Sequence, residues 1–167
     1  MEIYDYYSRE FGGEKSISKA KKLPDDYLIL NDVTVKVNDK EVQIDHILVS
    51  PYGVWCVETK SHLGRIYGKE QDKNWTQKKK SDGGKIYTKS FYNPVTQNAV
   101  HSRRVEDFLK QKIGLNVPVK SVIVFTSADQ LNVHTTTPVV TPKKLISTIL
   151  EIDRVKALTE EQIKWIT

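Results

Sequence analysis

Two acidic residues and a lysine, Asp45, Glu58 and Lys60, carry the most legible chemistry in this chain of 167 residues. Carboxylates brought side by side repel one another unless something positive neutralises them, and Mg²⁺ and Mn²⁺ favour such oxygen donors. A lysine next to the pair adds a compact charge suited to steadying an anionic transition state. Phosphodiester hydrolysis calls for this combination, because it needs activated water, stabilised negative charge on phosphorus and help for the departing oxygen. The sequence has no glycine-rich phosphate loop, no zinc-type cysteine spacing and no serine nucleophile motif, which sets those classes aside.

The elements that must position these residues are the strand-like runs Glu41 to Val49 and Val54 to Lys60, joined through Ser50, Pro51, Tyr52 and Gly53. An even-length loop pairs Val49 with Val54 and, counting outward, Asp45 with Glu58 and Gln43 with Lys60. Strand alternation puts all four side chains on one face beside Ile47, Val49, Val54 and Cys56, with facing Cβ atoms roughly 5 Å apart. Pro51 and Tyr52 are not a favoured two-residue turn, so a four-residue loop is expected. A divalent cation would relieve the repulsion at the edge of this apolar surface; the alternative is a structural triad in which Lys60 bridges both acids. His46 is expected on the opposite face in a structural role. His62 is read as a loop histidine, solvated or near substrate.

Around this hairpin, Tyr27 to Leu30 and Val33 to Val37 read as two further strands, and Ile17, Ala20 and Leu23 as a short helix that Pro24 ends. Glu14 sits in that helix's first turn, where the dipole favours a carboxylate in any case. The glycine-punctuated stretch holding Trp75 and the lysine run is expected to be loop and hairpin, with short strands near Ile66 and Ile86. Pro94 opens a helix to about Lys112; Val95, Ala99, Leu109 and Ile113 form its packing stripe, while Gln97, His101 and Arg104 form an available one. Val119 to Thr126 suits a strand buried on both faces, and Val139 with Val140 a short one, which makes the sheet mixed. Thr141 before Pro142 fits a helix start, and Thr159 with Gln162 a capping box.

Length and composition fit a single domain spanning 1–167, closed by a C-terminal helix over 159–166. Cys56 is the lone cysteine, and no signal-like or spanning apolar run occurs, so the expectation is a cytoplasmic protein without a membrane partner. From Lys73 to Arg104 eight basic residues face one acidic residue, a net +7 against −2 for the remainder. That asymmetry points to a polyanion, with Lys78, Lys79, Lys80, Arg103 and Arg104 as candidate nucleic-acid contacts. The alternative for the lysine run is a solvated loop that maintains solubility. Trp75, Tyr87, Phe91 and Tyr92 lie in the same stretch; some would stack on bases and at least half would pack in the core.

Asp45 followed by Glu58-Thr59-Lys60 resembles the PD-(D/E)XK motif of restriction-endonuclease-like nucleases, with Ile44 in place of the usual proline. Gly13-Glu14, Gln43-Ile44-Asp45-His46, Gly53-Val54, Gly64 and Asn93-Pro94-Val95-Thr96-Gln97 extend the likeness, over roughly residues 10–150, to the nuclease-related domain known as NERD. The resemblance implies an α/β fold with a restriction-endonuclease-like mixed β-sheet flanked by helices. It also implies Asp45 and Glu58 as ligands of Mg²⁺ or Mn²⁺, Lys60 as the catalytic lysine, and Glu14 and Gln97 as accessory site residues. The expected activity is metal-dependent cleavage of nucleic acid, DNA rather than RNA. The alternatives are a nucleic-acid-binding module with little catalysis and a protein-interaction domain with a relict site.

Overall fold

A computed structural model describes residues 23–167; Glu14 and the helix expected around Ile17 and Ala20 lie outside the described residues. Nine strands follow: β1 (Leu28–Val37), β2 (Lys40–Ser50), β3 (Gly53–Lys60), β4 (Gly64–Lys69), β5 (Asn74–Lys80), β6 (Ile86–Tyr92), β7 (Val119–Phe125), β8 (Ala128–His134) and β9 (Val139–Val140). The helices are α1 (Pro94–Phe108), continued by a π-helical turn over Leu109–Ile113, α2 (Pro142–Ile152) and α3 (Glu160–Ile166). The architecture is α/β, consistent with a restriction-endonuclease-like domain.

Two mixed sheets form, one ordered β1-β2-β3-β7-β9 and the other β6-β5-β4-β8. Both are mixed, as the expected sheet is, and the second contains the hairpin expected around the lysine run, β5 fully paired with β6, and strands at the expected Ile66 and Ile86. In the first sheet, α1 covers one face, where its Val105, and Leu109 of the π-helical turn, pack with Ile47, Val49, Val54 and Cys56. On the other face Trp55, Val57, Val122 and Val124 pack with Leu145, Ile146 and Ile149 of α2. A third core of Ile66, Trp75, Val95, Ile123 and Phe125 joins the second sheet to the first. β7 lies at the meeting of all three and is fully buried from Val122 to Phe125, as expected of a strand covered on both faces.

The β2–β3 register is the expected one: Val49 pairs with Val54, Ile47 with Cys56 and His46 with Val57. The loop is shorter than expected, because Ser50 and Gly53 still pair and only Pro51 and Tyr52 lie between them. Three local features stabilise this unfavoured turn. The Tyr52 N–H donates to Ser50 Oγ at 3.2 Å, Gly53 adopts φ +120°, and the Pro51 carbonyl accepts from Ala157 and Leu158 of the C-terminal segment.

Strict alternation fails farther along the hairpin. Ile44 and Ile47 share one core although they are three positions apart, and in β1 the shift lies between Leu30 and Val33, flanking Asp32 at φ +51°. The two strands stay in step across this kink, Asn31 pairing with His46 and Val33 with Ile44. Asp45 therefore sits at a joint kink of β1 and β2, where its side chain is released from the sheet's regular alternation.

Candidate active site

The β2–β3 ladder ends at His46 and Val57, so the Thr59 N–H lies beyond the last backbone pair with β2. Asp45 fills that role with its side chain: Oδ2 accepts the Thr59 N–H at 2.9 Å and the Thr59 hydroxyl at 2.8 Å. Asp45, expected directly across from Glu58 with Lys60 beside the pair, instead turns its carboxylate onto Thr59, the residue between Glu58 and Lys60, so Lys60 does not bridge both acids. Gln43 is likewise exposed and pairs with Thr34 of β1. It does not join Lys60 as strict alternation predicted, since the kink at Asp45 intervenes.

Glu58 and Lys60 meet α1. Lys60 Nζ lies 2.5 Å from Glu58 Oε1 and donates to Gln97 Oε1 at 3.0 Å. His101 Nδ1 stands 3.4 Å from Glu58 Oε2. Gln97 and His101, expected on an available stripe, instead face the sheet one helical turn apart and close the site from above. Glu58 is 3% exposed, so burial pushes its pKa upward, but the opposing interactions with His101 and Lys60 prevail and hold it below the ordinary carboxylate range. A buried carboxylate is thereby kept ionised at neutral pH.

Two asparagines with no obvious chemical role in the sequence place α1 over this cluster. Asn93, fully buried, caps the helix by accepting the Val95 N–H at 2.9 Å and donates to the carbonyls of Glu70 and Asp72 in the β4–β5 turn. Asn98, also fully buried, donates to the Cys56 carbonyl at 3.0 Å and Ser121 Oγ at 2.7 Å, tying the helix across β3 and β7. A polar residue inside a helix is ordinarily expected to face water, so nothing in the sequence marks Asn98, whereas Asn93 before Pro94 has the residue type and position of an N-cap.

His62 packs its ring on Phe91 with centroids 4.1 Å apart and meets Phe125 edge-on at 6.0 Å. It is half-buried, and desolvation, then Lys60 and Lys89, lowers its pKa. This corrects the solvated-loop reading. His46 is 7% exposed with Nδ1 2.9 Å from Asn31 Oδ1, in keeping with a structural role. Lys78, Lys79 and Lys80 are exposed on β5 in the second sheet. Arg103 turns back to the Ala99 carbonyl of its own helix, and Arg104 stands 4.0 Å from Asp107.

Asp45 and Glu58 are hard oxygen donors, the type Mg²⁺ and Mn²⁺ accept, and two carboxylates completed by water and phosphate oxygens are a common Mg²⁺ arrangement. Among the described residues no three His, Cys, Asp or Glu side chains converge into a fuller cage. His101 Nδ1 is buried beside Glu58 without a well-aligned hydrogen bond, so the cluster retains unused polar capacity. Both candidate ligands are of the right chemical type, with Asp45 held on Thr59 and Glu58 beside Lys60 and His101.

Residues 9–126 match the family described as nuclease-related domain, NERD. An uncharacterized protein of Bacillus anthracis is 37% identical over 131 residues, covering 73% of this chain, and the chain spans 56% of that relative's length. No solved structure matches the chain. The match takes in the kinked hairpin, the Glu58 and Lys60 cluster, all of α1 and β7, and the chain belongs to the nuclease-related domain family.

Proposed function

We propose that this chain is a metal-dependent nuclease that hydrolyses phosphodiester bonds, with DNA as the preferred substrate. The observation that carries the reading is the joined cluster of Glu58, Lys60, Gln97 and His101 at the end of β3, with Asp45 fixed on the intervening Thr59. Asp45 and Glu58 would hold Mg²⁺ or Mn²⁺, and the bound ion supplies Lewis-acid polarisation of a phosphoryl oxygen and acidified water. Lys60 donates toward the negative charge that builds on phosphorus, or orients the attacking water. Gln97 and Glu58 fix the Lys60 ammonium by occupying two of its three donors, leaving the third for substrate. Thr59 orients Asp45, and the ionised state of buried Glu58 is supported by His101 and Lys60.

Supercoiled plasmid, linear duplex and single strands incubated with Mg²⁺, Mn²⁺ or EDTA test the proposal. Cleavage that needs the metal and disappears in Asp45→Ala, Glu58→Ala and Lys60→Ala is expected. Metal-independent cleavage by all three variants would defeat the assigned site, and binding without cleavage would favour a nucleic-acid-binding module.

A further inference from the structure

The β5–β6 hairpin carries most of the basic stretch, and its pairing divides the lysines between two faces. Lys79 pairs with Tyr87, Gln77 with Lys89 and Trp75 with Phe91, so these six side chains share one face. Lys78 pairs with Thr88 and Lys80 with Ile86 on the other, where Lys78 also lies over the Tyr67 ring. The first face begins at the candidate active site: Phe91 carries the His62 ring, and Trp75 and Phe91 pack on Phe125, the residue paired with Lys60. From there it runs outward through Lys89 to Lys79 and Tyr87, all three exposed, with Lys85 over the Tyr87 ring.

We infer that this face is a binding track for a single-stranded segment of nucleic acid flanking the scissile bond, with Lys89 and Lys79 on phosphates and Tyr87 stacked on a base. The inference rests on the nuclease reading and specifies how its substrate extends from the site. Cations alternating with an exposed aromatic along one strip are the arrangement that single strands use, since every base has a face to stack and every phosphate a charge. Because the charge of the lysine run is split by strand alternation, only part of it serves this track, and Lys78 and Lys80 point away from it.

The test is binding, read in EDTA so that it does not depend on cleavage. Fluorescence anisotropy with a labelled 20-nucleotide oligothymidylate compares the parent with two doubly neutralised variants of equal charge, Lys79→Gln/Lys89→Gln and Lys78→Gln/Lys80→Gln. The first pair is expected to weaken binding about tenfold or more and to flatten the salt dependence by a slope of roughly 1.4, two single-strand phosphate contacts. The second is expected to change it less than threefold. Tyr87→Ala is expected to cost on the order of tenfold without altering the salt slope. Equal losses from the two pairs, no measurable binding by the parent, or a 20-base-pair duplex bound tenfold more tightly than the single strand would each overturn the track. Discrimination between the pairs in a parent that cleaves nothing would keep the track and remove the nuclease reading; cleavage without discrimination would do the reverse.

Discussion

At the scale of single residues, the site depends on hydrogen bonds that sequence spacing only half revealed. The pairing count brought Asp45 and Glu58 together because the turn is symmetrical, but the count assumes unbroken alternation, and the kink at Asp32 and Asp45 breaks it. Asp45 accepts two hydrogen bonds from Thr59, so its loss has a structural as well as a chemical consequence. Asp45→Asn keeps an amide oxygen as acceptor and exchanges charged hydrogen bonds for neutral ones, with an expected cost of about 1 kcal/mol. Asp45→Ala leaves the Thr59 N–H without its acceptor and is expected to cost about 1–3 kcal/mol more in chemical denaturation. Both are expected to abolish cleavage; a loss near 4 kcal/mol for Asp45→Asn would restore the reading of Asp45 as half of a buried ion pair. Cys56 offers an independent check on packing. Burial first, with the nearby Glu106 and Glu58 charges adding to it, pushes its thiol up to about 12. Ellman's reagent at pH 8 is therefore expected to leave the native thiol unmodified and to react once in denaturant. Rapid modification of the native protein would show that the core beneath α1 opens readily.

Among the elements, the strands of the first sheet and the main helix were legible because their periodicity is strong, whereas the second sheet showed only as a hairpin and short strands near Ile66 and Ile86. β4, β5 and β6 are short, polar and mostly solvent-facing, so neither an apolar run nor alternation marks them, and their only buried anchors are Ile66 and Trp75. Glycine reads as punctuation in such a stretch, yet two of these glycines are where β4 approaches β5. A Cβ on Gly68 would lie 2.3 Å from Trp75 Cγ, and one on Gly64, already at φ +80°, 2.4 Å from the Lys78 carbonyl oxygen. The cap at α1 shows the same difficulty from the other side, since Asn93 before Pro94 marks a helix start but gives no sign that it is the buried tie between the helix and the β4–β5 turn. Gly68→Ala must displace a buried indole and is expected to destabilise by about 1–3 kcal/mol, with a change in Trp75 fluorescence. A neutral result would mean that the β4–β5 pair yields easily. Glu70 supplies a second tie, accepting from Thr136 and Thr137, and the Thr136 N–H is the largest of the causes that hold its pKa below the ordinary carboxylate range. The sign follows directly: the tie is present above the unfolded carboxylate's pKa and is lost as pH falls through the lower folded value. Amide exchange at Thr136 and Thr137, corrected for intrinsic rates, is expected to quicken relative to β7 over that acidic range, and Glu70→Gln to remove the pH dependence. Protection unchanged in the variant would rule out the tie.

For the whole molecule, the basic stretch and the acidic site lie on separate sheets that meet at Phe125 and Trp75, so charge that looked continuous along the chain is distributed over the second sheet and α1. No helix among the described residues is long and apolar enough to cross a membrane. The global consequence of the proposed metal site is a linkage between ion concentration and folding, because an ion that binds the folded chain and not the unfolded one stabilises it by mass action. At a Mn²⁺ concentration about a hundred times the dissociation constant the gain is about 2.7 kcal/mol. For a chain of this length that corresponds to a rise in melting temperature of roughly 5–10 °C over the same protein in EDTA. Asp45→Asn removes one of the two carboxylates, and with it most of the rise, while its melting temperature in EDTA falls by roughly 2–4 °C, the cost of exchanging charged hydrogen bonds for neutral ones at Thr59. Lys60→Met gives the complementary result: it leaves both proposed ligands in place and frees Glu58 of its ammonium partner, so its Mn²⁺ response is expected to equal or exceed the parent's although cleavage is lost. A structural triad would reverse this order, since it gains nothing from Mn²⁺ in the parent and loses its bridging cation in Lys60→Met. Differential scanning calorimetry of the three proteins, each in EDTA and across a Mn²⁺ titration, separates the two arrangements; a parent that does not respond to Mn²⁺ would exclude the metal site whatever the variants do.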